Sequence, residues 1–225
     1  PISRDRRAAR MSLPMPLTLF AAPGACSRVS LTALAAAGLR ADVRWLHLAS
    51  GEQRQAAYLA LNPRGKVPLL HTPAGPLADT LAIVTWLDAQ VPEAGLLPPA
   101  EKAMARARAL GWLGWAAGTL HPLVYRLRMS GRIHPDPATH EGVRAAALAE
   151  LQQTLPVAAL ALAGAGPWLG GERWSIADTY VAWALGRAAM SGLDLSTSPE
   201  VAEFVERHAR LPAWQAAITQ EPAAA

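Results

Sequence analysis

A single cysteine, Cys26, stands among the 225 residues. That excludes an internal disulfide, and with no C-x-x-C partner it excludes a dithiol redox pair. Charge is scarce as well. Asp, Glu, Lys and Arg make up 17% of the chain, against 52% hydrophobic residues rich in alanine. Such a balance suits a folded, helix-rich protein and is unlike a disordered one. The formal charge of +4 belongs mostly to one end: Arg4, Arg6, Arg7 and Arg10 crowd the first ten residues against Asp5 alone. Residues 11–225 are nearly neutral, so no nucleic-acid surface is expected. The histidines show neither i,i+4 nor Cys-paired spacing, so no metal site is expected. A glycine-rich phosphate loop is absent too. Residues 151–171 carry no charge, but Pro156, Pro167, Gln152, Gln153 and several glycines interrupt them, and no membrane span is expected there.

Residues 1–15 read as a disordered leader, with Met11 and Met15 as alternative starts. An Arg-rich stretch followed by LPMPLTLFAAPGA has features of an export signal. Two prolines break its apolar part, however, and cleavage before Cys26 would want an aliphatic residue where Pro23 sits. A reducing, cytoplasmic compartment is expected.

The rest is patterned. Pro16–Ala22 is a short apolar run of strand type, stopped by Pro23-Gly24. CSRVSLTALAAAG reads as a helix closed by Gly38. DVRWLHL, Asp42 to Leu48, alternates as a half-covered strand does. A short helix is expected over 52–61, a strand at Val67–Leu70, a small strand near Leu77 and a helix over 79–90. The right-handed crossover rule makes the first two strands parallel. Val91–Pro99, with three prolines and a glycine, reads as a linker. Beyond it everything has helical period. One long helix or two should cover 101–129, kinked at His121-Pro122. Further helices are expected over 138–163, bent at Pro156, then from Ser175 to Met190, where Ser175 and Asp178 form a capping-box-like start, then over 199–208 and 212–219.

The stretch Asn62–Ile83, NPRGKVPLLHTPAGPLADTLAI, concentrates the candidate chemistry. Proline does not fit the middle of a sheet. A cis Val67-Pro68 bond would account for Pro68 and turn the N–H and C=O of Val67 outward, free to pair with an extended peptide. The nearby helix start offers N–H groups and a positive dipole end to a carboxylate. A plain hairpin followed by a helix fits the same residues. Cys26 and Ser27, in PGACS, stand at the mouth of the first helix, where the dipole would favour a thiolate; on composition alone a lone cysteine is more often an inert buried residue.

NPRGKVPLL followed by ADTLAI resembles the glutathione-binding half of the glutathione S-transferases, and PGACS resembles their bacterial beta class. The likeness runs over most of residues 16–219 and is strongest before residue 90. It implies a thioredoxin-like domain over 16–90, a linker over 91–100 and an all-helical domain over 101–225. It implies glutathione as co-substrate, held by Val67 and Pro68 at the cysteinyl backbone, by Asp79 and Thr80 at the γ-glutamyl end, and by Lys66 near the glycyl carboxylate. The family more often has Glu-Ser where this chain has Asp79-Thr80. The resemblance further implies Cys26 or Ser27 at the sulfur, with His121 facing it. Beta-class members often carry Asn and Lys where this chain has Gly114 and Pro122, a departure from their chemistry that leaves glutathione binding intact. Lowering a thiol pKa by about two units takes roughly 2.7 kcal/mol of differential interaction, within reach of one or two donors and a helix dipole. The implied activity is conjugation of the glutathione thiolate to a small hydrophobic electrophile. Thiol–disulfide exchange through Cys26 and a non-catalytic binding or scaffold role are the alternatives. Trp112, Trp115 and Tyr125, at helical spacing, could line an apolar pocket or plain core. A homodimer is implied, and Ser175 and Asp178 have a structural role, starting a core helix.

Overall fold

A computed structural model describes residues 16–222; the leader expected over 1–15 lies outside them. The first part of the chain builds a four-stranded sheet in the order β2-β1-β3-β4. β1 (Thr18–Ala21) and β2 (Asp42–Trp45) are parallel, while β3 (Leu69–Thr72) and β4 (Gly75–Ala78) run antiparallel. Leu19 pairs with Val43 on one side and with Leu70 on the other. Leu19 and Leu70 are fully buried, as apolar residues of a covered central sheet should be.

The crossover from β1 to β2 is α1 (Ser27–Ala36). It stops where the sequence places its glycine: Gly38 has φ 65°, and Leu39 N–H bonds the carbonyl of Leu34 at 3.0 Å, a Schellman closure. The helix expected over 52–61 is shorter, a 3-10 turn at Glu52–Arg54 and then α2 (Ala56–Leu59). The strand expected from Val67 begins two residues later, because Pro68 has no N–H for a ladder. The Val67-Pro68 bond is cis. After β4 comes α3 (Thr80–Gln90).

The remainder is helical: α4 (Ala103–Trp115), α5 (His121–Arg128), α6 (His140–Ala165), α7 (Ile176–Ala189), α8 (Pro199–Ala209) and α9 (Pro212–Thr219). In place of a kink at His121-Pro122, α4 runs into α5 through a π-helical turn, Ala116–Leu120. Pro122 lacks the N–H that would bond four residues back, and a wider turn is one way a helix accommodates that loss. α7 starts as the sequence indicates. One Asp178 oxygen accepts from Ser175 N–H at 2.7 Å and Ser175 Oγ at 3.0 Å, and the other from Leu169 N–H at 2.8 Å. Burial nevertheless pushes this carboxyl up to about 6.

One continuous core joins the sheet-bearing and helical parts. α1 packs against α3, α7 and α9. The proline-rich stretch after α3 is anchored on both sides. Asp88 accepts from Leu97 N–H at 3.0 Å and from Arg106 at 2.6 Å, and Leu96 O accepts from Ile176 N–H at 2.8 Å. Pro137–Gly164 is long and apolar enough by composition to cross a membrane. Ala147, Leu151, Leu155 and Ala158 form its buried stripe, on a helix packed against α5 and α8.

Candidate active site

Loop chemistry sets the first wall. Asn62 Oδ1 accepts from Arg64 N–H at 3.2 Å, Gly65 N–H closes the turn on Asn62 O at 2.9 Å, and Asn62 Nδ2 and the Tyr58 hydroxyl both donate to Lys66 O at 2.7 Å. Gly65 is needed there: it has φ 57°, and an added Cβ would meet Gln53 O at 3.2 Å. This frame delivers Val67 and cis-Pro68 beside the start of α3. Val67 is half-buried, and its N–H has no hydrogen-bond partner among the described residues. Its carbonyl accepts from the Cys26 thiol at 3.7 Å.

Asp79 caps α3, accepting from Leu81 N–H at 3.1 Å. It does so with φ 87° and ψ 139°, a backbone conformation rare for a residue with a Cβ. Asp79 is exposed and Thr80, next to it, is buried. Lys66 is exposed too, yet its ammonium and the Asp79 carboxylate both act electrostatically on Cys26 and His121.

Two expectations for the sulfur end are corrected. The α1 N-terminus does not make Cys26 acidic. Burial pushes its thiol up to about 12, outweighing the hydrogen bond from Thr80 and the charge of Lys66. Desolvation of a thiolate at 6% exposure exceeds what a helix end returns. Ser27 is not turned toward a ligand. It is fully buried, and its hydroxyl donates to Ala22 O and accepts from Ala22 N–H, both at 3.1 Å. It closes the β1–α1 turn.

His121 lies within electrostatic reach of Lys66 and Asp79. Its Nδ1 lies 2.8 Å from the Tyr180 hydroxyl, and its ring packs edge-on against Trp183 at 4.8 Å. Burial, then the Lys66 charge, lowers its pKa to about 4, so the ring is neutral near pH 7. Tyr180 is held well above the usual phenol range by burial, with the Cys26 and Asp79 charges adding to it and Thr80 hydrogen bonding opposing it. Sequence reading missed Tyr180 and Trp183. The available signal was a pair of polar-tipped aromatics three apart on α7, whose sequence is mostly apolar. Trp112 and Trp115 are half-buried and pack edge-to-face on each other at 5.3 Å, and Tyr125 is exposed.

The arrangement therefore gathers Cys26, Val67, Thr80, His121 and Tyr180, with Lys66 and Asp79 at its rim. It offers an unpaired strand-type N–H, a helix start, a neutral imidazole and hydroxyl donors. That is a set able to hold an extended acidic peptide and stabilise a sulfur anion. Among the described residues no three His, Cys, Asp or Glu side chains converge as a metal site would require.

Known proteins share this fold. Residues 24–90 match a family model described as glutathione S-transferase, N-terminal domain. The chain is 31% identical to the glutathione S-transferase GstA of Escherichia coli O157:H7, over 91% of this chain and 98% of that protein. It is likewise 31% identical to a maleylacetoacetate isomerase of Pseudomonas aeruginosa, over 74% and 77% of the two chains. Among solved structures, a sphingomonad glutathione S-transferase complexed with glutathione superposes with a TM-score of 0.79 at 31% identity, covering 92% of this chain and 100% of that one.

Proposed function

The chain belongs to the glutathione S-transferase family, and from that premise we propose that it conjugates the glutathione thiolate to a small apolar electrophile. The observation that carries this reading is that Cys26 bonds the Val67 carbonyl, while Lys66 and Asp79, flanking cis-Pro68 and the start of α3, act electrostatically on both Cys26 and His121. Glutathione lies along Val67 as an added strand, pairing with the free Val67 N–H. Asp79 and Thr80 hold its γ-glutamyl end, and Lys66 meets the glycyl carboxylate. The sulfur then points toward Cys26, His121 and Thr80.

Catalysis needs only that the thiolate be favoured, since glutathione brings its own nucleophile. The thiol proton leaves to solvent. The neutral imidazole N–H and the Thr80 hydroxyl donate to the anion left behind. The sulfur attacks the electrophilic carbon, a C–S bond forms, and the leaving group departs with its electron pair, as halide does from an aryl halide.

Thiol–disulfide exchange through Cys26 is the second reading. The placement of the sole cysteine beside Val67 and Thr80 favours it, and burial of that thiol weighs against it. Parallel assays of an aryl halide and of a mixed glutathione disulfide separate the two readings, and turnover of neither indicates a binding or scaffold role. If calorimetry finds no glutathione binding by the intact chain, both enzymatic readings fall.

Division into 16–90, a linker over 91–100 and 101–225 is part of the same proposal, as are a two-fold homodimer and a cytoplasmic location. Exposed Met104 and Leu110 on α4 offer apolar surface to a partner copy. A monomer mass in light scattering at micromolar concentration would contradict the dimer.

A further inference from the structure

Beside the Cys26 loop lies a second charged corner, which the proposed reaction does not use. Arg187, near the end of α7, is folded against Gly24: a Cβ on Gly24 would sit 3.1 Å from one Arg187 guanidinium nitrogen. The Nε of Arg187 is buried and has no hydrogen-bond partner among the described residues. No carboxylate there forms an ion pair with it. Burial, then the charges of Arg128 and Arg28, lowers its pKa to about 10. Arg128 donates to Ser191 Oγ at 2.7 Å, and Ser191 Oγ donates to Arg187 O at 3.1 Å, so the two arginines share one scaffold.

Among the described residues one acid answers these three cations. Glu221 is already committed: Oε1 takes Arg28 Nε at 2.6 Å, and Oε2 takes Arg28 Nη2 at 2.6 Å and Gly24 N–H at 3.0 Å. That leaves the guanidinium of Arg187 facing a cleft of about 360 Å³, lined also by Pro23, Gly24, Arg28, Ile218 and Glu221. Half-buried like charges with one counter-ion repel each other, and an added anion relieves that repulsion. Guanidinium forks beside a backbone N–H suit carboxylate, sulfonate and phosphate oxygens.

We propose that this corner is a binding site for the oxyanion group of a small molecule, with Arg187 as its main donor and Arg128 as a flanking charge. Glu221 shows how the corner holds a carboxylate. The site touches the chemistry through Gly24, whose carbonyl accepts from Trp183 Nε1 at 3.3 Å and which precedes Cys26 by two residues. The anionic group belongs either to the second substrate or to a separate effector. The substrate arm rests on the function proposed above, and the binding arm stands without it.

Inorganic phosphate, titrated onto the intact chain against chloride at matched ionic strength, is the probe, read by thermal unfolding and calorimetry. The expected result is a saturable rise in Tm specific to phosphate. Arg187→Gln should weaken phosphate binding by about ten-fold or more, the loss of a charge-assisted pair, and Arg187→Lys should restore part of it. Glu221→Gln, removing a competing negative charge, should tighten it. A phosphate response equal to chloride, or unchanged affinity in a folded Arg187→Gln variant, overturns the proposal. A kinetic arm separates the two sources, comparing 1-chloro-2,4-dinitrobenzene with 4-chloro-3,5-dinitrobenzoate. If Arg187→Gln raises KM only for the benzoate, the anion is part of the substrate. If instead phosphate changes turnover of both halides and Arg187→Gln abolishes that response, it is an effector. Failure to turn over either halide would count against the proposed reaction and leave the phosphate result to decide the site.

Discussion

The Nδ1 of His121 and the hydroxyl of Tyr180 lie 2.8 Å apart, 59 residues distant in sequence and on separate helices. With the ring neutral, a hydroxyl donating to Nδ1 keeps the imidazole proton on Nε2. Tyr180→Phe removes that donor and leaves a buried nitrogen unpaired, at a cost of about 1–3 kcal/mol. Urea unfolding should record the loss. Conjugation should show a lower kcat with little change in KM for glutathione, because in the proposed mechanism the imidazole donates to the sulfur anion. A variant with wild-type kcat would remove Tyr180 from the site.

Acid should destabilise the fold. His121 and His208 have pKa values of about 4 and about 3 when folded, against 6.5. Below about pH 6.5 the unfolded chain binds those protons first, so stability falls as pH drops toward the folded values. Asp178 works in the opposite sense: raised from 3.8 to about 6, it favours folding as pH falls through that range. Two histidines against one carboxyl leave a net loss of stability on acidification between about pH 6 and 4. Alkali should act through Cys26, raised from 9.0 to about 12. The unfolded thiol ionises first, so stability also falls as pH climbs above about 9. Urea midpoints that stay flat from neutral pH down through this acid range would contradict the first half.

What could be read from the chain was what local residues decide. Gly38 ends α1, Ser175 and Asp178 start α7, and the Val67–Thr80 segment carries its turn, proline and helix start within a few residues. Convergence across the fold was not legible. Nothing in helical periodicity ties His121 to Tyr180, or Asp88 to Arg106 across the proline-rich stretch. The error over Cys26 has the same origin. A helix start is visible in sequence, whereas the burial that overrides its dipole is a property of packing.

Asp79 allows stability and binding to be separated. Its φ of 87° stores backbone strain, of order 1–3 kcal/mol at such positions. Asp79→Gly relieves that strain, and glycine gives up only a few tenths of a kcal/mol as an N-cap, so the variant should be as stable as the parent or more so. Asp79→Ala keeps the strain and loses the bond to Leu81 N–H, at a cost of about 0.5–2 kcal/mol. Both substitutions should weaken glutathione binding by about 1–3 kcal/mol in calorimetry. An order of stability with Ala above Gly would show that the strain is not relieved by glycine.

Cys26 and Ser27 should separate just as cleanly. The Cys26 thiol, 6% exposed and pushed up to about 12, should gain no glutathione mass from oxidised glutathione at neutral pH. It should react with iodoacetamide only when the chain is unfolded. Cys26→Ala should therefore retain conjugation, since the proposed donors to the sulfur, Thr80 and His121, are untouched. Ser27→Ala should behave differently, because its hydroxyl bonds both Ala22 N–H and Ala22 O. Losing them should lower stability by about 1–3 kcal/mol, without the 10²–10³-fold fall in kcat typical of losing a transition-state donor. Rapid adduct formation by the native chain would show that the thiol opens to solvent, and thiol–disulfide exchange would then displace conjugation as the better reading of this site.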